Sequence, residues 1–169
     1  VPMALFVWSW LNGKAFLPLL DVVCFCAPVF DFLGRLGCLF GGCCYGVASS
    51  WLSVVYFDHS VGAPVGELLL PIQLITALLF LLVFGVFLSI RSYCNVDRLA
   101  PGVFVGAYFF CAAFIRFGVD FFRGDRGDAV ISFGSVFVTS YQVACLLLGV
   151  MALGILGFVL VKKYKKFGA

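Results

Sequence analysis

The chain has 169 residues, is 64% hydrophobic, carries only 11% charged residues and has a formal net charge of +3. An ordinary soluble domain is roughly half apolar and about a quarter charged, so this composition excludes a water-soluble globular domain and describes an integral membrane protein. Four of the eleven cations (Lys162, Lys163, Lys165 and Lys166) crowd the last eight residues and no basic stripe stands elsewhere, which argues against a nucleic-acid partner.

Residues 1–14, "VPMALFVWSWLNGK", are too short an apolar run to span a bilayer, which takes roughly 20 residues. They read as the last half of a helix that begins upstream. A signal peptide would carry its charge before the apolar core and a small-residue cleavage site after it; here the lysine follows. The first complete span covers about 16 to 35, interrupted by Asp21, Pro28 and Asp31. Residues 47–67, with Trp51 and Tyr56 suited to a membrane–water boundary, are expected to form an outer-face interfacial segment and a loop. Three further spans are predicted over 68–90, about 101–122, and 138–161, the last followed at once by the basic tail 162–169. The fold class is therefore an all-α integral membrane protein: about four transmembrane helices, a partial N-terminal helix and the interfacial segment, in a single domain over 1–169. Loop cations orient it. Lys14, the pair Arg91 and Arg98, and the lysine tail all fall on the cytoplasmic side in one consistent threading. The C-terminus is then cytoplasmic, and Arg35, Gln73, Arg116, Asp120 and Arg123 converge toward the outer face.

Within the first span, Asp21, Cys24, Pro28, Asp31 and Arg35 are spaced 3, 4, 3 and 4 residues apart and share one helix face. A central Asp or Arg costs about 2.5–3.5 kcal/mol on insertion scales, so that face must look into the bundle or a wet cavity. A plain alternative is an Asp31–Arg35 pair that neutralises itself at i, i+4. In the third span Arg116, Asp120 and Arg123 sit at i, i+4 and i+7, leaving one carboxylate between two guanidinium groups. That cationic surplus suits a phosphate-bearing ligand, whose oxygens a guanidinium fork binds in pairs. Gly34, Gly37, Gly41, Gly42 and Gly46 surround Arg35 and offer close backbone approach or positive φ. Small residues also serve ordinary helix packing in membranes.

Five of the eight cysteines (Cys24, Cys26, Cys38, Cys43 and Cys44) lie within 21 residues. Their C-x-C and C-C spacing lacks the paired C-x(2–4)-C pattern of structural zinc, and His59 is the single histidine. Packing as small buried hydrophobes is the leading reading; a redox or disulfide role for Cys38, Cys43 and Cys44 comes second, and a metal last. No metal or cofactor is expected. "RGDRGD" at 123–128 reads as a charged turn, and His59, between Asp58 and Ser60, as a solvated loop residue.

Three blocks, in order, give the chain a resemblance to the prolipoprotein diacylglyceryl transferase family. "GRLGCLFGGCCYG" (34–46) is similar to the family's G-R-[IL]-G-N-F-x-N-G-E-x-[WY]-G and keeps Gly34, Arg35, Gly37, Gly42, Tyr45 and Gly46. "LPIQLIT" (70–76) resembles H-P-[ST]-Q-L-Y-E and keeps Pro71, Gln73 and Leu74. "GVFVGAYFFCAAFIRFGVDFFRGD" (102–125) resembles G-x(3)-G…R-[FI]-x-[VI]-E-F-[FL]-R. The departures are specific. Cys38 and Cys43 stand where the family has asparagine and glutamate; Leu70, Ile75 and Thr76 replace histidine, tyrosine and glutamate; Ala112 replaces a tyrosine. The family's histidine-bearing H-G-G-type motif is not among these residues.

The resemblance implies a transferase of the bacterial inner membrane that moves a diacylglyceryl group from phosphatidylglycerol to the lipobox cysteine of a prolipoprotein, with its site toward the outer face. Carried over residue by residue, Arg35, Arg116 and Asp120 (for glutamate) become the catalytic candidates. Arg35, Arg116, Arg123, Gln73, Gly34 and Gly37 become the phospholipid-phosphate contacts, and Cys38 and Cys43 the divergent site positions. Two other readings remain: a phospholipid-binding membrane module without catalysis, and a thiol-redox membrane protein.

Overall fold

A computed structural model describes residues 9–13, 15–57, 61–93, 100–125, 129–133 and 136–167. His59, the second RGD triplet and residues 1–8 of the expected partial helix lie outside them; residues 9–11 form a helical turn.

Four helices carry the fold: α1 (Phe16–Gly41), α2 (Ile72–Tyr93), α3 (Val103–Asp120) and α4 (Ser140–Phe167). All four contain a segment long and apolar enough to cross a membrane, so the chain is a multi-pass membrane protein. α1 runs six residues beyond the expected end at 35, because Gly34, Gly37 and Gly41 are helical and the left-handed residue that stops the helix is Gly42, at φ 68°. Gly42 is thus the one position in "GRLGCLFGG" that needs a glycine backbone. α4 likewise continues past 161 through the lysine-rich end.

The helices alternate in direction. Near its start α1 places Asp21 under the first turn of α3: the carboxylate accepts the Gly102 N–H at 2.5 Å and the Val105 N–H at 2.9 Å. Three turns on, Asp31 meets Tyr108 and Arg116, so α1 and α3 are parallel. α2 runs back antiparallel to both, with Phe25 of α1 packed edge-on against Phe84 and Phe104 and stacked on Phe87. Val83, Phe87 and Phe104 form the buried core there. α4 is antiparallel to α3 and very close. A Cβ on Gly106 would meet Leu156 Cβ at 3.0 Å, and one on Gly149 would meet Ala113 Cβ at 3.6 Å. Small residues let these backbones approach where no hydrophobic effect drives helices together. Large apolar side chains such as Leu82, Phe114 and Phe158 point outward, as a lipid-facing surface requires.

Two β features join this helical frame. Strands β1 (Ala129–Phe133) and β2 (Val136–Thr139) pair antiparallel between α3 and α4. The described residues of the 47–67 segment are largely extended, held by isolated bridges of Leu69 to Ala48 and Val54 and of Tyr56 to Val65. Trp51 is 93% exposed, in keeping with a boundary residue. Tyr56 is half-buried and turns its hydroxyl onto Gln73 of α2. It is therefore an internal strut, because the extended backbone swings alternate side chains inward.

Candidate functional site

α1 presents Cys24, Pro28 and Arg35 to the interior as the 3-4 spacing requires, but the charged members of that face divide their work. Asp21 is spent on the α3 N-terminus, satisfying amides that begin a helix and have no intrahelical partner. Asp31 does not pair with Arg35. Its Oδ2 accepts from the Tyr108 hydroxyl at 2.7 Å and its Oδ1 lies 3.8 Å from Arg116 Nη2. Arg35 is 6% exposed; among the described residues no side chain forms an ion pair or hydrogen bond with it. A buried charge without a partner costs several kcal/mol, which makes Arg35 the most demanding residue in the bundle.

Arg35 and Arg116 line one cavity of about 240 Å³, together with Phe30, Asp31, Gly34 and Cys38. Two guanidinium groups and one carboxylate leave this cavity with a surplus of one positive charge. Gly34 borders it, and a Cβ there would touch nothing within 4 Å. Gly37 is exposed and also free of neighbours; it neither lines the cavity nor permits a close approach.

The other expected residues are placed elsewhere. α3 ends at Asp120, so Arg123 does not continue its face. Arg123 lies in the following turn, bridged to Gly46, and clamps Asp125 with Nε and Nη2 both at 2.9 Å. The hydrogen-bonded guanidinium holds the Asp125 carboxyl below its ordinary range, and the same bonds push Arg123 up. Asp120, 4% exposed, accepts from Thr139 Oγ1 at 2.9 Å. Thr139 and Gln142 in turn form a reciprocal cap at the start of α4, Thr139 N–H to Gln142 Oε1 at 3.0 Å and Gln142 N–H to Thr139 Oγ1 at 3.2 Å. The T-x-x-Q pattern of "TSYQ" is a sequence signal for this capping box. Asp120 therefore ties the end of α3 to the start of α4 rather than bordering the arginine cavity. Gln73, 1% exposed, donates from Nε2 to the Cys43 carbonyl at 2.9 Å and to the Tyr56 hydroxyl at 3.1 Å. It braces the turn after α1. Thr76 turns its hydroxyl back onto the Ile72 carbonyl at 2.6 Å.

That turn gathers Cys38, Cys43 and Cys44. The Cys43 N–H donates to the Cys38 carbonyl at 3.2 Å, and Cys44 adopts a left-handed φ of 54°. Burial, reinforced by Cys38 and Cys44, pushes the Cys43 thiol from 9.0 up to about 11. Burial also raises Cys44, partly countered by Arg123. Sequence reasoning missed Tyr108 as a partner of Asp31. Its place two turns before Arg116 on the same face was the available signal.

Fold and site together define a multi-pass membrane protein with a cationic cavity between two of its helices, α1 and α3. A sequence model of the prolipoprotein diacylglyceryl transferase family matches residues 1–160, and the chain belongs to that family. It is 30% identical over 134 residues to phosphatidylglycerol–prolipoprotein diacylglyceryl transferase 2 of Clostridium perfringens, covering 79% of this chain and 51% of the relative. The phosphatidylglycerol–prolipoprotein diacylglyceryl transferase of Dehalococcoides mccartyi strain 195 is 31% identical over 96 residues, 54% of this chain and 37% of its own length. The chain thus spans about half, or less, of the relatives it matches. No solved structure matches it significantly.

Proposed function

We propose that this chain is the phospholipid-holding part of a diacylglyceryl transferase of the bacterial inner membrane, which passes the diacylglyceryl group of phosphatidylglycerol to the lipobox cysteine of a prolipoprotein. The observation that carries the reading is Arg35, buried and without an anionic partner among the described residues, beside Arg116 in one cavity. The cavity's surplus of one positive charge matches the single negative charge of a phosphodiester.

In the proposed reaction the acceptor thiolate attacks the glycerol carbon that bears the phosphate. A carbon–sulfur bond forms, the carbon–oxygen bond breaks, and glycerol phosphate leaves with the electron pair on its oxygen. Negative charge grows on that leaving phosphate. Guanidinium groups fixed beside that oxygen stabilise it more than they stabilise the bound lipid. Asp31 and Tyr108 hold Arg116 in place for this role, and Gly34 keeps the cavity wall open.

The test is lipoprotein lipidation in cells depleted of their own transferase and supplied with this protein. Activity with the natural sequence and its loss in Arg35→Gln and in Arg116→Gln are the expected results; full lipidation in both variants overturns the reading. A second reading, a phospholipid-binding module without turnover, is favoured by the thiols at 38 and 43 and by Thr76, whose hydroxyl is committed to its own helix. It predicts retention of phosphatidylglycerol without release of glycerol phosphate.

A further inference from the structure

The end of α1 assembles three thiols, of which Cys38 also borders the arginine cavity. Cys38 lies on the last turn of the helix, Gly42 reverses the chain in the left-handed conformation, and Cys44 follows with a positive φ rare outside glycine. The result is that the Sγ atoms of Cys38, Cys43 and Cys44 all lie within 4.8 Å of one another, each half-buried. Linear C-x(4)-C-C spacing conceals this, since only the helix end and the reversal bring the first thiol over the other two.

We propose that Cys38, Cys43 and Cys44 form a three-thiolate site for one thiophilic d10 metal ion of the zinc class. A zinc–sulfur bond of about 2.3 Å sets sulfur–sulfur separations of about 3.8–4.0 Å for tetrahedral or trigonal geometry. Three sulfurs already within 4.8 Å reach that by small side-chain rotations. A disulfide needs about 2.0 Å and joins only two of the three, so it leaves the third thiol unexplained. Soft thiolate donors select zinc and monovalent copper over magnesium, calcium or manganese.

Two surroundings support the site. The turn is braced from outside: Gln73 Nε2 holds the Cys43 carbonyl at 2.9 Å, and the Gly124 N–H holds the Tyr45 carbonyl at 2.9 Å. Such bracing keeps ligand side chains in position before a metal arrives. Cations also flank it. Arg35 lies three residues before Cys38 on the same helix, and Arg123, its fork held by Asp125, acts on the Cys44 thiol. The chemistry balances without an oxidant: three thiols each release a proton to solvent and three sulfur–metal bonds form. Metal binding here does not require turnover.

The full chain, purified in detergent under reducing conditions, is titrated with cadmium, whose thiolate complexes absorb in the ultraviolet. One cadmium per chain, able to displace bound zinc, is expected, with the band lost in Cys38→Ser, Cys43→Ser and Cys44→Ser and kept in Cys26→Ser and Cys111→Ser. A second measurement needs no variant. Zinc should protect Cys38, Cys43 and Cys44 of the natural chain from maleimide while leaving labelling of Cys26 and Cys111 unchanged. Unaltered binding in the cluster variants, or equal labelling with and without zinc, overturns the proposal; so does recovery of two of the three as a disulfide from reducing preparations.

Discussion

Arg35 and Arg116 differ in what surrounds them, and substitutions should expose the difference. Arg116 already leans on Asp31 at 3.8 Å, whereas no described side chain pairs with Arg35. Gly34 borders that cavity and Gly37 does not, although both sit in the same motif. Gly34→Leu should therefore fill the space and block phosphatidylglycerol retention with little change in thermal midpoint. Gly37→Leu should leave retention unchanged; similar loss in both would refute the placement of the cavity wall. Arg123 offers a contrast, its fork being occupied by Asp125. The Asp125 carboxyl lies below its ordinary 3.8, so the clamp's contribution is present above that value and is lost as pH falls through the depressed one. Moving from about pH 7 to about pH 5 should leave the clamp intact. The Arg123 Nε–H resonance in NMR checks this, and its exchange broadening in that window would count against a persistent clamp.

The starts of α3 and α4 are each fixed by a side chain from outside the helix or just before it. Asp21 reaches from α1 to two backbone amides at the start of α3, and Asp21→Ala should cost about 1–2 kcal/mol of stability. A fall in thermal midpoint with the α3-borne Arg116 still able to meet Asp31 is the expected pattern. Thr139→Ala should cost more than an exposed cap, because it removes both the α4 cap and a hydroxyl donor to the buried Asp120. Thr139→Ser, which keeps the hydroxyl, should restore most of the loss in chemical or thermal unfolding. These contacts show how unevenly the sequence reports its elements. The four spans were legible as long apolar runs, and Asp21, Pro28 and Arg35 as one face from their spacing. The extension of α1 to Gly41 was not, because glycines in a membrane helix lose the penalty they carry in water and no longer mark an end. The paired strands Ala129–Phe133 and Val136–Thr139 escaped because they are short, apolar, adjoin a span and share its composition.

The whole bundle depends on the close contact of α3 with α4 as much as on the Phe25–Phe87–Phe104 core. Gly106→Leu should push Leu156 and the Ala152 carbonyl aside, separating the two helices and displacing Arg116 with them. The expected result is lower stability together with lost phosphatidylglycerol retention. Normal retention in a protein of normal stability would refute the packing. By itself the sequence determined the membrane class, the four spans and the pairing of Arg35 with Arg116 as candidates, since hydropathy and helical spacing are local properties of the chain. Only the tertiary structure decided which charges meet. Asp31 serves Arg116 rather than Arg35, Asp120 serves Thr139, Arg123 serves Asp125, and three cysteines with unpromising spacing converge. Those partnerships are set by helix direction, by where each helix stops and by the turn at Gly42, and such long-range geometry leaves no period in the sequence.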